Sequence, residues 1–89
     1  MRVLHVEDDP IDADLTQRLL ASRMPEVAVD LAPSLAAARE RLHVPDRYEV
    51  ALVDLHLLDG SGLELLAWVR ECQLPLAVVM LTGVGDPEA

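Results

Sequence analysis

Lysine is absent from the sequence, and the seven basic residues, all arginine, are scattered along it. Set against sixteen acidic residues, they leave a net charge of -9. Nucleic acid and anionic membrane surfaces both call for clustered positive charge, so neither is expected as a direct partner. Cysteine occurs once, at Cys72, which excludes an internal disulfide and gives no sign of an oxidising compartment. Long apolar runs are missing too. The longest, Leu74 to Leu81, contains Pro75 and is far too short to cross a bilayer. Glu7 interrupts the first apolar stretch, so the N-terminus does not read as a cationic-then-apolar leader. A cytoplasmic location is the expectation. The 89 residues suffice for one small domain, and a hydrophobic content of 52% favours a packed core over disorder.

What is present is an alternation. Four short apolar runs recur, at Val3 to Val6, Val27 to Leu31, Val50 to Val53 and Leu76 to Leu81. They show little polar alternation, which predicts strands buried on both faces, as in a parallel sheet. Segments with helical spacing lie between them. Asp9 and Pro10 have the chemistry of an N-cap and a first helical residue, and Ile11, Leu15 and Leu19 then share one face. Ser34 is placed to cap a second helix with Leu35, Ala38 and Leu42 on its apolar stripe. A third begins near Ser61-Gly62, with Leu63, Leu66 and Val69 predicted to face inward, and ends before Pro75. The β-α-β-α-β-α-β order with short connections predicts a doubly wound parallel α/β sheet.

Two of the predicted strands end in acid. Val3 to Val6 runs into Glu7-Asp8-Asp9, and Val50 to Val53 into Asp54. A charge at the end of a core strand costs desolvation unless something compensates it. In an open α/β sheet, ligands gather at the carboxyl ends of the strands where the strand order reverses. If the first and third strands are neighbours, Glu7, Asp8 and Asp54 meet there. A Mg²⁺ ion, with its preference for oxygen ligands, is the usual remedy for such crowding. Asp9 reads as a helix cap, Asp59 as a turn-shaping residue, and Asp12, Asp14 and Glu64 as solvated faces. His5 and His43 fit no zinc spacing. Tyr48 and Trp68 read as packing residues.

These pieces, in this order, resemble the receiver domain of two-component response regulators: Glu7-Asp8, Asp54, Asp59-Gly60-Ser61-Gly62 and Thr82-Gly83. The resemblance implies the flavodoxin-like receiver fold with strand order 2-1-3-4. It also implies a single domain over residues 1–89 that lacks the family's fifth strand, the lysine on it, and the last helices. Asp54 would be the phosphoacceptor, taking a phosphoryl group from a sensor histidine kinase or phosphotransfer protein. Asp8 and Asp54 would bind Mg²⁺ directly, Glu7 would hold a metal-bound water, and the backbone carbonyl of His56 would be a further ligand. Thr82 would hydrogen-bond a phosphoryl oxygen, and Gly83 would leave the donor a way in. Such a domain is a signalling module rather than an enzyme. Leu58 stands where the family often has proline. Two other readings stay open: a pseudo-receiver that signals without phosphate, and a metal-dependent phosphohydrolase, in which His56 would occupy the place of a second aspartate. The fourth strand, left as an apolar edge, is expected to invite self-association.

Overall fold

The computed structural model describes residues 1–81. Along the chain it forms β1 (Arg2–Val6), α1 (Pro10–Arg23), β2 (Ala28–Ala32), α2 (Leu35–Leu42), β3 (Val50–Asp54), β4 (His56–Leu57), β5 (Gly60–Ser61), α3 (Gly62–Glu71) and β6 (Ala77–Leu81). The four apolar runs thus become the four long strands, shifted by at most one residue at either end. They pair in parallel in the order β2-β1-β3-β6, the expected topology with β6 as the fourth principal strand. The remaining pair, β4 and β5, forms a short antiparallel hairpin that no sequence periodicity announces.

The helices start where the capping chemistry says. The Asp9 carboxylate accepts from the Ile11 and Asp12 N–H groups, and Pro10 follows it at the first helical position. The Ser34 hydroxyl accepts from Ala37 N–H. Ser61 and Glu64 form a reciprocal capping box, so Glu64 serves the start of α3 rather than a merely solvated face.

Right-handed crossovers put α2 and α3 on one face of the sheet and α1 on the other. Strand register assigns Leu4, Val6, Ala51 and Val53 to the α2/α3 face, where they join Leu35, Ala38, Leu42, Leu65 and Val69 in one core. Here the inward residues of α3 differ from expectation. Leu65 and Val69 are buried, Leu66 is partly covered, and Leu63 points to solvent. The rotation is set by Gly62, which lies so close to β3 that a Cβ there would sit 2.5 Å from the Asp54 carbonyl oxygen.

Among the described residues the α1 face is thinner. The predicted stripe Ile11, Leu15 and Leu19 is on one side of α1, but that side is 71%, 61% and 57% exposed; the residue α1 buries is Ala13. His5 is fully buried on this face, and among the described residues neither ring nitrogen has a hydrogen-bond partner. Desolvation holds its pKa below the usual value, against the pull of the Asp54 charge. At the edge of the sheet, β6 leaves Ala77 and Val79 exposed. Among the described residues no helix is long and apolar enough to cross a membrane.

Candidate acidic site

The pairing of β1 with β3 aligns Val6 with Val53, so the acids that follow each strand emerge side by side. Glu7, Asp8 and Asp54 each offer a carboxylate oxygen, and these oxygens lie within 4.8 Å of one another. Glu7 is buried, at 7% exposure, while Asp8 and Asp54 are half-buried. Two unit charges at that separation repel by roughly 3 kcal/mol at an effective dielectric of about 20. Burial, and after it the Asp54 charge, push the Glu7 carboxyl up to about 7, so that near neutrality the cluster carries less than its full charge. The Asp9 N–H, which donates to Glu7 Oε2 at 3.2 Å, pulls the other way. A divalent cation would do the proton's work more fully, because all three donors are hard oxygens. The donor set therefore fits Mg²⁺.

The backbone around Asp54 is held tightly. Leu55 N–H donates to the Leu81 carbonyl at 3.1 Å, and Gly62 N–H to the Leu55 carbonyl at 2.9 Å. His56 N–H approaches Asp54 Oδ1 at 3.4 Å, leaving the His56 side chain exposed on the hairpin. Gly60 turns that hairpin with φ +146°, a conformation other residues rarely adopt, and a Cβ there would collide with the Glu64 carboxylate. Thr82 and Gly83 lie outside the described residues.

Two contacts escaped the sequence reading. Leu58 N–H donates to Asp8 Oδ2 at 2.6 Å across the mouth of the site. Asp59 does shape the loop, but by reaching another element: it accepts from Leu35 N–H at 3.0 Å and Ala36 N–H at 3.2 Å, capping α2. These bonds hold its pKa below the usual carboxylate value, the Leu35 bond most of all. A carboxylate before a Gly-Ser turn was the visible signal for Asp59. The backbone amide of Leu58 leaves none in the sequence. At the opposite end of the sheet, buried Tyr48 donates to Asp30, and Arg2 pairs with the same carboxylate.

The known proteins that this chain resembles are consistent in kind. Residues 3–89 match the response regulator receiver domain family. The chain is 40% identical over 86 residues to the transcriptional regulatory protein CutR of Streptomyces coelicolor, covering 97% of this chain and 38% of CutR. It is 38% identical over 72 residues to the sensor histidine kinase AruS of Pseudomonas aeruginosa, covering 79% of this chain and 7% of AruS. The chain thus spans well under half the length of these curated relatives. Among solved structures, the bacteriophytochrome response regulator AtBRR superposes with a TM-score of 0.80 at 32% identity, covering 98% of this chain and 69% of that one. The MaeR response regulator bound to beryllium trifluoride shares the fold at a TM-score of 0.85 and 23% identity, covering 97% and 70%. Family match, sequence identity and fold agree, and the chain belongs to the response regulator receiver domain family.

Proposed function

We propose that this domain accepts a phosphoryl group on Asp54 from the phosphohistidine of a sensor histidine kinase or phosphotransfer protein, in the cytoplasm. The observation that carries the reading is the convergence of Glu7, Asp8 and Asp54 at the carboxyl ends of two adjacent strands. In the transfer, an Asp54 oxygen forms a bond to phosphorus as the phosphorus–nitrogen bond breaks, and the histidine nitrogen keeps the electron pair. The domain's own work is positioning and charge neutralisation, as is usual for phosphoryl transfer. β3 and the Leu55–Gly62 hydrogen bond fix Asp54 at the rim. Asp8 and Asp54 would hold Mg²⁺, with Glu7 reaching it through water and the His56 backbone carbonyl as a further ligand. Bound there, the ion supplies countercharge to the phosphoryl oxygens. Thr82 would take one of those oxygens by hydrogen bond, and Gly83 would keep the donor's approach open. The pseudo-receiver reading gains no support from the site, because none of the three acids is lost or turned away. The outer edge of β6 is where self-association would occur.

The test is chemical. Incubated with acetyl phosphate and Mg²⁺, the protein should gain one phosphoryl mass in an acid-stable, base-labile linkage, and Asp54→Asn should abolish it. Persistent labelling of Asp54→Asn would place the acceptor elsewhere.

A further inference from the structure

The hairpin after Asp54 begins at His56, and its tip is tied to a different part of the molecule. Leu57 packs partly against the core, whereas Leu58 at the tip is 94% exposed and gains nothing from packing. The ladder of the hairpin has two residues on each strand, too short to hold its shape alone. The contact that ties the tip down is polar. Asp59 Oδ1 accepts from Leu35 N–H at 3.0 Å and Oδ2 from Ala36 N–H at 3.2 Å, both on the first turn of α2. That turn is a fixed reference, because Leu35 is buried in the core with Ala38 and Leu42. The Leu35 side chain closes on the tip as well: its Cδ1 lies 2.9 Å from where a Cβ on Gly60 would sit. The other polar contact of the tip, Leu58 N–H with Asp8, ends on a half-buried rim carboxylate and not on the core. Yet α2 already has a cap of its own in Ser34, which accepts from Ala37 N–H. The second cap, brought from the hairpin, therefore fixes the hairpin as much as the helix.

We propose that Asp59 is a positioning residue for the cation site: it clamps the hairpin tip to α2 and so holds the loop that presents the His56 carbonyl. The proposal rests on the metal reading above. Asp59 does not meet the ion, since both of its oxygens are engaged on α2. It narrows the arrangements open to the loop, so that a larger fraction of molecules carries the carbonyl in place before the ion arrives.

Mg²⁺ affinity measured by calorimetry on the wild type, Asp59→Ala, Asp59→Asn and Ser34→Ala separates the clamp from its alternatives. Asp59→Ala should bind about fivefold more weakly, the factor expected when the ordered loop loses the stabilisation of one cap. Ser34→Ala weakens the same helix without freeing the hairpin, and should stay within about twofold of wild type. Asp59→Asn keeps an acceptor oxygen and loses the charge, so it should fall closer to wild type than to alanine. Equal affinity in wild type and Asp59→Ala overturns the proposal. So does an equal loss in Ser34→Ala, which makes the effect one of helix stability. An asparagine variant as weak as alanine makes it one of charge at a distance, and overturns it too. The wild-type amide spectrum reads the clamp directly: Mg²⁺ should shift the Leu35 and Ala36 N–H resonances, and the shift should vanish in Asp59→Ala. Resonances that ignore Mg²⁺ in the wild type overturn the clamp. A wild type that binds no Mg²⁺ at all refutes the metal reading and the clamp with it, a result distinct from Mg²⁺ binding that ignores Asp59.

Discussion

Replacing Glu7 by glutamine should remove a pH dependence of stability that the wild type shows in the absence of metal. Burial and the Asp54 charge carry the Glu7 carboxyl from 4.5 to about 7 in the folded state. The native form therefore binds this proton more tightly than the unfolded chain does. The resulting stabilisation is complete below the unfolded value and is lost as pH rises through about 7. A difference of about 2.5 units corresponds to roughly 3 kcal/mol over the whole range. His5 acts in the opposite sense. Its folded pKa lies below the ordinary histidine value of 6.5, so below that pH the unfolded chain gains a proton that the native state refuses, and stability falls with acidification. Between pH 6.5 and 8 the Glu7 share of the decline is about 0.8 kcal/mol, opposed at the acid end of that window by up to about 0.4 kcal/mol from His5. With a urea slope near 1 kcal/mol per molar for so small a domain, the wild-type midpoint should fall by about 0.8 M relative to that of Glu7→Gln across the window. Urea titrations followed by circular dichroism in chelator would measure this. Glu7→Gln should flatten the difference, because groups common to both proteins cancel. Mg²⁺ at about ten times its dissociation constant should add back about 1.4 kcal/mol to the wild type at pH 8. The same pH dependence of the midpoint in wild type and Glu7→Gln from pH 6.5 to 8 would refute the reasoning.

Two further substitutions test how the site is framed. Asp59→Ala strips the acceptor from two N–H groups at the start of α2 and should cost about 1 kcal/mol in urea unfolding, with Ser34 retaining its own cap. A cost indistinguishable from zero would mean that water replaces the carboxylate. Gly62→Ala drives a methyl against the Asp54 carbonyl and Val53 Cγ1, at 2.5 and 2.9 Å, and should cost about 2 kcal/mol as α3 is pushed from β3. A thermal unfolding curve unchanged from wild type would show that α3 yields freely.

The strands and their acids were legible because burial on both faces leaves an unbroken apolar run, and the run ends where the charge begins. The caps at Asp9 and Ser34 were legible because each needs one side chain at one position; at Ser61 only the start of the helix was, and its reciprocal partner Glu64 read as a solvated face. Helix rotation was less so. Periodicity says that Ile11, Leu15 and Leu19 share a face; it does not say that anything covers that face. In α3 the leucines at 63, 65 and 66 offer more than one possible stripe, and the close approach of Gly62 to β3 chooses Leu65 with Val69. The hairpin at 56–61 has two residues per strand, below any detectable period. The Leu58 and Asp59 bonds join segments far apart in sequence through backbone amides, so they emerge only once the chain has folded. Thr82 and Gly83 lie beyond the described residues.

The loop between β1 and α1 serves two ends at once. Its Asp9 carboxylate caps α1 by accepting from the Ile11 and Asp12 N–H groups, while the Asp9 N–H donates to Glu7 Oε2 in the acid cluster. One residue thus joins the start of a helix to a buried carboxyl. Loss of the cap would slacken the same loop that carries Asp8, so a change at Asp9 reaches both the first turn of α1 and the rim of the sheet.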